Sequence, residues 1–195
     1  MGESSDPGAV RRAAILEAAA SVFLRYGFKK TSMDDLARAA GLSRQGLYLH
    51  FPTKEALFKE AVQNLIAATR AAVRAALARE ELDVEERILG AFEAAHAQAI
   101  GLPASGHMNE LFETAAQLVG PSVAEVEQGL VADVARVLRA AGVAATWKDA
   151  GVSAKELAEH LQATSYGLKH QATTPAAYRE GMRVAVRIVC RGASR

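Results

Sequence analysis

Cysteine and long apolar runs are almost absent from this sequence of 195 residues. Cys190 is the single cysteine, so no disulfide can form within the chain, and a reducing compartment fits that scarcity. No run approaches the roughly 18 apolar residues of a membrane-spanning helix, and the opening stretch MGESSDPGAV lacks the apolar core of a secretion signal. We therefore expect a cytoplasmic protein without membrane contacts.

Patterns that mark catalytic and metal centres are also missing. The sequence has no glycine-rich phosphate loop, no nucleophile turn and no His-x-x-x-His pair. Its five histidines are scattered, and Cys190 has no near partner in sequence for a metal site. We therefore expect neither an enzyme nor a cofactor or metal, with a metal site assembled by folding as a minor alternative.

Neither sign of charge dominates, because the formal net charge is +1. Residues 1–70 hold ten basic and seven acidic residues, whereas residues 71–195 hold 13 and 15. A mildly basic end on a near-neutral body suits a DNA reader that carries a second module. Hydrophobic residues make up 50% of the chain and charged residues 23%, which indicates a folded protein of one or two domains.

Apolar residues recur at helical spacing along nearly the whole chain, and no segment alternates as a strand does. The pattern predicts an all-α fold of about nine helices after a disordered arm at 1–8. The predicted helices lie at about 9–26, 31–41, 44–50, 53–79, 83–100, 107–118, 122–141, 153–170 and 174–190. A break is expected at 101–103, capping boxes at Ser122 and Ser153, and a loop at 142–151.

Two short helices near the amino terminus are joined by a tight turn. Thr31 is the expected N-cap of the first helix, Gly41 ends it, and Ser43 caps the second. A helix–turn–helix needs a small residue where the helices cross, a glycine in the turn and an apolar lock on the second helix. Ala37, Gly41 and Leu47 occur in that order.

The second of these helices has the residues of a DNA-reading helix. With Leu47 turned inward, Arg44, Gln45, Tyr48 and Leu49 fall on outward or flanking faces. Arginine and glutamine can read guanine and adenine edges, and tyrosine can reach a phosphate or a thymine methyl. A helix of two turns fits the major groove, which is roughly 12 Å wide.

Three runs carry a family resemblance: Gly41-Leu42-Ser43, Leu47-Tyr48-Leu49-His50-Phe51 and Thr53-Lys54-Glu55-Ala56-Leu57. In this register they resemble the DNA-binding domain of the tetracycline-repressor (TetR) family of transcriptional regulators. The resemblance covers about the first 60 residues. It implies a helix–turn–helix DNA-binding domain at 9–52 and a ligand-binding and dimerisation domain at 53–195.

The resemblance also implies roles for single residues. Tyr48, His50 and Lys54 are expected to hold phosphates, while Arg44, Gln45 and Leu49 face the bases. The full set expected to contact DNA is Thr31, Ser32, Ser43, Arg44, Gln45, Gly46, Tyr48, Leu49, His50 and Lys54. Gly46 stands where threonine is common in the family, and Leu49 replaces a frequent aromatic; both departures concern base preference rather than DNA binding.

Residues 84–170 are interpreted as a ligand-sensing bundle. His96 lies on an apolar helix stripe with Glu93 one turn before it, which favours a pocket with a few orienting hydrogen bonds. A core histidine satisfied by Glu93 or by a backbone carbonyl is the alternative. The expected ligand-binding residues are Phe92, His96, Met108, Phe112 and Trp147, a set that suits a small, largely apolar effector.

The last two predicted helices are expected to form a homodimer. The final helix is apolar over a wide arc, and Gly167 and Gly181 would allow close helix approach. The residues assigned to the interface are Gly167, Tyr178, Met182, Val186 and Val189. The alternative is the buried last helix of a monomer.

Together these features predict a homodimeric regulator, a repressor by the family resemblance. It would bind a palindromic double-stranded operator and be released by an effector. Two alternatives remain: a helical small-molecule-binding protein or enzyme that retains the motif, and an architectural protein that binds DNA without sequence preference.

Overall fold

The computed structural model describes residues 6–96, 107–120 and 122–192. All regular structure in these ranges is helical, which confirms the predicted all-α class. The α-helices are α1 Pro7–Tyr26, α2 Met33–Ala39, α3 Arg44–His50, α4 Lys54–Leu77, α5 Val84–His96, α6 His107–Val119, α7 Ser122–Ala140, α8 Val143–Thr146, α9 Ala154–Gln171 and α10 Pro175–Arg191; Lys148–Ala150 is a 3-10 helix. Within the described ranges, no helix is long and apolar enough to cross a membrane.

Helix α1 begins inside the arm predicted at 1–8. Asp6 is its N-cap, with Oδ1 accepting a hydrogen bond from the Gly8 N–H at 3.0 Å, and Pro7 occupies the first helical position. Residues 1–5 of the arm lie outside the described residues, as do the predicted end of the fifth helix and the break at 101–103. The Ser122 side chain, expected in a capping box, is likewise outside them.

Two local predictions were wrong. The N-cap of α2 is Ser32 rather than Thr31, because Ser32 exchanges hydrogen bonds with Asp35 in a capping box while Thr31 is buried. The predicted loop at 142–151 contains α8 and the 3-10 helix. Gly142 and Gly151 flank these two short helices at φ 74° and φ 70°, a backbone region that glycine adopts without strain.

The chain forms two compact units. Unit 1 comprises residues 1–68 and 104–123, and unit 2 comprises residues 69–103 and 124–195. Helix α4 passes from one unit into the other. The functional division predicted at residues 52 and 53 stays a prediction.

The core of unit 1 is built by α1 to α4 together with α6. Leu47 and Phe51 are fully buried, and Phe23 packs edge-on against Phe58 with ring centroids 4.9 Å apart. Helix α6 contributes Leu111 and Ala115 to this core. In addition, Glu110 on α6 accepts a hydrogen bond from the Lys29 N–H at 2.7 Å.

The core of unit 2 is formed by α5, α7, α9 and α10 around a shared apolar cluster. Gly181 on α10 lies so close to α9 that a Cβ there would stand 2.7 Å from a methyl carbon of Leu168. The expectation that Gly181 permits close helix approach is therefore met within a single chain. An ion-pair network adds to the α5–α10 contact, with Arg179 binding both Glu86 and Glu93.

Candidate functional site

Helix α3 is short, and its ends are fixed by its own sequence. Ser43 Oγ accepts a hydrogen bond from the Gly46 N–H at 3.0 Å, and the Phe51 N–H bonds back to the Leu47 carbonyl at 2.9 Å. Leu47 is 0% exposed, so it locks the rotation of the helix against the rest of unit 1. The opposite face of α3 is thereby directed outward.

That outward face carries the residues expected to read bases. Leu49 is 84% exposed, so its apolar side chain is available to contact another surface. Arg44, Gln45 and Tyr48 are exposed beside it, and the Arg44 guanidinium lies 5.8 Å from the centre of the Tyr48 ring. The face thus combines a guanidinium, an amide, a phenol and an exposed apolar side chain.

A side chain at Gly46 would crowd the N-cap of α3. A Cβ at this position would stand 3.1 Å from Ser43 Oγ, the atom that caps α3. The threonine common in the family would therefore press on this cap unless the serine shifted. The sequence pattern alone could not indicate this contact.

Arg12 is a key residue that the sequence did not single out. Its guanidinium binds Glu60 through Nε at 3.1 Å and Nη2 at 2.7 Å, and it stacks over the Phe51 ring at 4.3 Å. It also donates to the His50 carbonyl at 3.4 Å. Arg12 therefore ties α1 and α4 to the carboxyl end of α3.

Lys54 and Thr31 are engaged inside unit 1. The Lys54 ammonium donates to the Phe28 and Thr31 carbonyls at 3.0 Å each and lies 4.3 Å from the centre of the Phe28 ring. Thr31 is 3% exposed, and its hydroxyl donates to the Gly27 carbonyl at 2.6 Å. Without DNA, both side chains position the segment before α2. Their expected DNA contacts stay a prediction.

The remaining members of the expected DNA-contacting set are accessible to different degrees. Ser32 and Ser43 are exposed at the amino ends of α2 and α3, while Gly46 and His50 are half-buried. The capping serines and the outward face of α3 are therefore all exposed in unit 1. We refer to Arg44, Gln45, Tyr48 and Leu49 as the α3 surface.

The residues expected to bind a ligand are divided between the two units. Phe92 lies in the core of unit 2 at 1% exposure, and Trp147 donates its Nε1–H to the Val189 carbonyl at 2.8 Å. Phe112 lies on α6 in unit 1 and is 46% exposed. The Met108 side chain is outside the described residues.

His96 is mostly buried at the carboxyl end of α5. Its ring packs edge-on against Tyr166 and Tyr178, with centroids 5.8 and 6.0 Å away. Burial, assisted by Lys169 and His170, lowers the pKa of His96 to about 4, so the imidazole is uncharged at neutral pH. Glu93, the partner expected from the sequence, binds Arg179.

Helix α9 brings polar side chains to His96 that the sequence did not reveal. The Tyr166 hydroxyl donates to the Glu127 carboxylate, and the Lys169 ammonium lies 4.4 Å from the centre of the Tyr166 ring. Gln162 precedes Tyr166 by one turn. Helical spacing places these residues on one face of α9, but only the packing of α5 and α7 shows that this face meets His96.

Four residues assigned to a dimer interface lie in the core of unit 2. Tyr178, Met182, Val186 and Val189 are at most 2% exposed, and the Tyr178 hydroxyl bonds to Ser165 at 2.7 Å. Gly167 is exposed. A single chain thus covers the apolar face of α10 that was predicted from the sequence to pack against a second copy.

The opposite face of α10 carries exposed apolar side chains. Val184 is 52% exposed and Ile188 is 60% exposed. Separately, no group of three or more histidine, cysteine, aspartate or glutamate side chains within the described residues is placed to hold a metal ion.

Residues 15–61 match the family model described as "Bacterial regulatory proteins, tetR family". The chain is 45% identical over 53 residues to the uncharacterised regulator YfiR of Bacillus subtilis, covering 27% of this chain and 26% of YfiR. It is 37% identical over 84 residues to the transcriptional activator FasR of Mycolicibacterium smegmatis, covering 43% and 38%. The matched segments thus span less than two fifths of each of these relatives.

Solved structures show the same fold over nearly the whole chain. SCO4454, a TetR-family regulator of Streptomyces coelicolor, aligns at TM-score 0.69 and 19% identity over 94% of this chain and 95% of its own. A TetR-like regulator of Rhodococcus sp. RHA1 aligns at TM-score 0.65 and 22% identity over 96% and 99%. Residues 15–61 therefore match the tetR family of bacterial regulatory proteins, and the chain as a whole has the fold of the TetR-family regulators to which it aligns.

Proposed function

We propose that this protein is a ligand-responsive transcriptional repressor, and not an enzyme, that binds a palindromic operator as a homodimer. The observation that carries the proposal is the α3 surface. A short helix, capped by Ser43 and locked by Leu47, presents Arg44, Gln45, Tyr48 and Leu49 to solvent. Leu49 is 84% exposed within the described part of the chain, and a thymine methyl would give it an apolar partner.

Base and phosphate contacts divide along the α3 surface. Arg44 suits the paired acceptors of guanine, and Gln45 suits adenine. Tyr48 and His50 are proposed to bind phosphates, together with Ser32 and Ser43 at the amino ends of their helices, where anions are favoured. In this proposal Thr31 and Lys54 act first by fixing the segment between α1 and α2, and Lys54 reaches a phosphate when DNA is bound.

The dimer is proposed to form through the outward face of α9 and α10 rather than through the buried residues first assigned to it. Val184 and Ile188 supply apolar area, and exposed Gly167 supplies a site of close approach on α9. Two copies related by a two-fold axis would cover these faces with a four-helix arrangement. A two-fold protein in turn requires a palindromic operator.

Effector release is proposed to act through the spacing of the two α3 helices. Successive major grooves lie roughly 34–36 Å apart, so a change of a few ångströms in that spacing weakens binding. Helix α4 is continuous between the two units, which gives a ligand in unit 2 a route to unit 1. Repression rather than activation is taken from the resemblance to tetracycline repressors.

The test is selection of bound duplexes from a random pool, followed by affinity measurement on the selected duplex and on a scrambled duplex of equal length. We expect a two-fold-symmetric sequence and a preference of at least about a thousandfold over the scrambled duplex. A preference near one would favour an architectural DNA-binding protein. Absence of DNA binding together with ligand turnover would favour an enzyme.

A further inference from the structure

Two buried polar atoms in unit 2 have no hydrogen-bond partner in the described part of the chain: His96 Nε2 and Gln162 Oε1. Native proteins leave few buried polar atoms unpaired, since each has lost its contacts with water without replacement. A bound molecule is one reason to keep such atoms.

The two atoms border the same region of unit 2. The His96 ring packs against Tyr166, and Gln162 lies one turn before Tyr166 on the same face of α9. The Tyr178 ring, which is fully buried, packs edge-on against His96 from the core of unit 2, with centroids 6.0 Å apart. We call His96, Gln162, Tyr166 and Tyr178 the His96–Gln162 site.

The charged groups facing this site largely offset one another. Burial lowers the pKa of Lys169, while the Glu127 carboxylate acts in the opposite direction. Glu127 is also bonded to the Tyr166 hydroxyl. On α5, Glu93 is paired with Arg179, which α10 supplies. The imidazole itself is uncharged at neutral pH because burial, Lys169 and His170 all oppose its protonation.

We propose that the His96–Gln162 site binds the effector and that this ligand is uncharged. Its apolar body would pack against the half-buried Tyr166 ring, and a hydroxyl or primary amide group would pair with His96 Nε2 and Gln162 Oε1. An ionised ligand would bring a buried charge to a site whose nearest cation already has a carboxylate beside it. That this ligand is the effector rests on the proposed function, whereas its chemical class is inferred from the site alone.

Matched alcohols and acids test the ligand class. Phenol and benzoate, 1-naphthol and 1-naphthoate, and 1-decanol and decanoate are titrated into the full-length protein by calorimetry at pH 7.5. We expect at least one alcohol to bind about tenfold or more tightly than its acid, the effect of one well-placed hydrogen bond. Its affinity should stay constant from pH 6 to pH 8, because His96 remains uncharged in that range.

Substitutions test the site. His96→Leu and Gln162→Leu should each weaken that alcohol about tenfold, whereas His160→Leu, which replaces an exposed histidine on α9, should leave its affinity unchanged. Without ligand, both site variants should melt at or above the wild-type temperature, because each removes an unpaired buried atom.

Tighter binding by the acids, no binding by any of the alcohols, or unchanged affinity in both site variants would overturn the proposal. A lowered melting temperature in both variants would show that the two atoms have partners and would overturn it as well. Release from operator DNA is measured separately. An alcohol that binds through His96 and Gln162 but leaves DNA affinity unchanged would keep the ligand site and reject the regulatory role.

Discussion

Arg44 and Tyr48 stand one helical turn apart on the exposed face of α3, and the stacking of the guanidinium over the ring restricts where Arg44 can reach. Because the Arg44 side chain is already restricted before DNA binds, it loses less conformational entropy when it contacts a base. We therefore expect this pair to contribute more to base recognition than to the stability of the fold.

Arg44→Ala should lose discrimination at one base pair of each half-site, on the order of 1–3 kcal/mol, with guanine the preferred base in the wild type. Competition binding with single-base operator variants measures this. Arg25→Ala is the matched control, because Arg25 is also an exposed arginine stacked on a neighbouring tyrosine, Tyr26, but lies outside α3. A uniform loss across all sequences would instead identify Arg44 as a phosphate contact.

His96 should make stability depend on pH. Its pKa is about 4 in the folded chain and 6.5 ordinarily, so the unfolded chain takes up the proton first as pH falls. This contribution to the free energy of unfolding is complete above pH 6.5 and is lost as the pH decreases toward 4. It amounts to about 3 kcal/mol when His96 is fully titrated.

Urea unfolding at pH 7.5 and pH 4.5 measures this dependence. The difference between the two pH values should be smaller in His96→Leu than in the wild type and in the His160→Leu control. Equal differences in all three proteins would mean that His96 is accessible to protons in the folded state.

At the scale of elements, α10 has two apolar faces with different partners. Tyr178, Met182 and Val186 face the core of unit 2, whereas Val184 and Ile188 face outward. The hydrophobic pattern shows that the helix is apolar over a wide arc, but it cannot assign each side of that arc to a neighbour.

Two aspartate substitutions on α10 separate these faces. Val186→Asp should unfold unit 2, because it buries a charge that has no partner. Ile188→Asp should leave the helical circular dichroism intact and convert dimers into monomers in light scattering. If Ile188→Asp remained dimeric, the proposed outward interface would be rejected.

The sequence predicted some elements well because their determinants are local. The bounds of α3 follow from the Ser43 cap and from Pro52 beyond the helix, and the Ser153 capping box of α9 is confirmed. At α2, two adjacent hydroxyl residues could each serve as the cap. Thr31 is buried in the folded chain, which leaves Ser32 as the cap. The local capping pattern alone does not distinguish the two residues.

The candidate sites were predictable only in part, for the same reason. The exposed face of α3 follows from helical periodicity once Leu47 is placed inside. The surroundings of His96 depend on Gln162 and Tyr166, which are far away in sequence and meet it only through packing. Likewise, the structural role of Arg12 could not be predicted, because Glu60, which it contacts, is far away in sequence.

At the scale of the whole molecule, the proposed two-fold symmetry should make binding depend on the phase of the half-sites along DNA. Inserting about five base pairs between them turns one half-site to the opposite side of the duplex, and inserting about ten restores its orientation at a greater distance. We expect the first insertion to reduce affinity to the level of a single half-site in gel-shift titrations. Unchanged affinity would indicate that each chain binds DNA independently.

Helix α6 has a consequence for how such a protein can be recombined. Leu111 and Ala115 complete the core of unit 1, and Glu110 binds the backbone at Lys29, although all three lie some forty residues beyond residue 68. The DNA-binding domain therefore cannot be transferred to another protein as its amino-terminal residues alone. A chimera that exchanged only residues 1–68 between two regulators would place a foreign α1 against the resident α6, so a functional exchange must transplant both segments together.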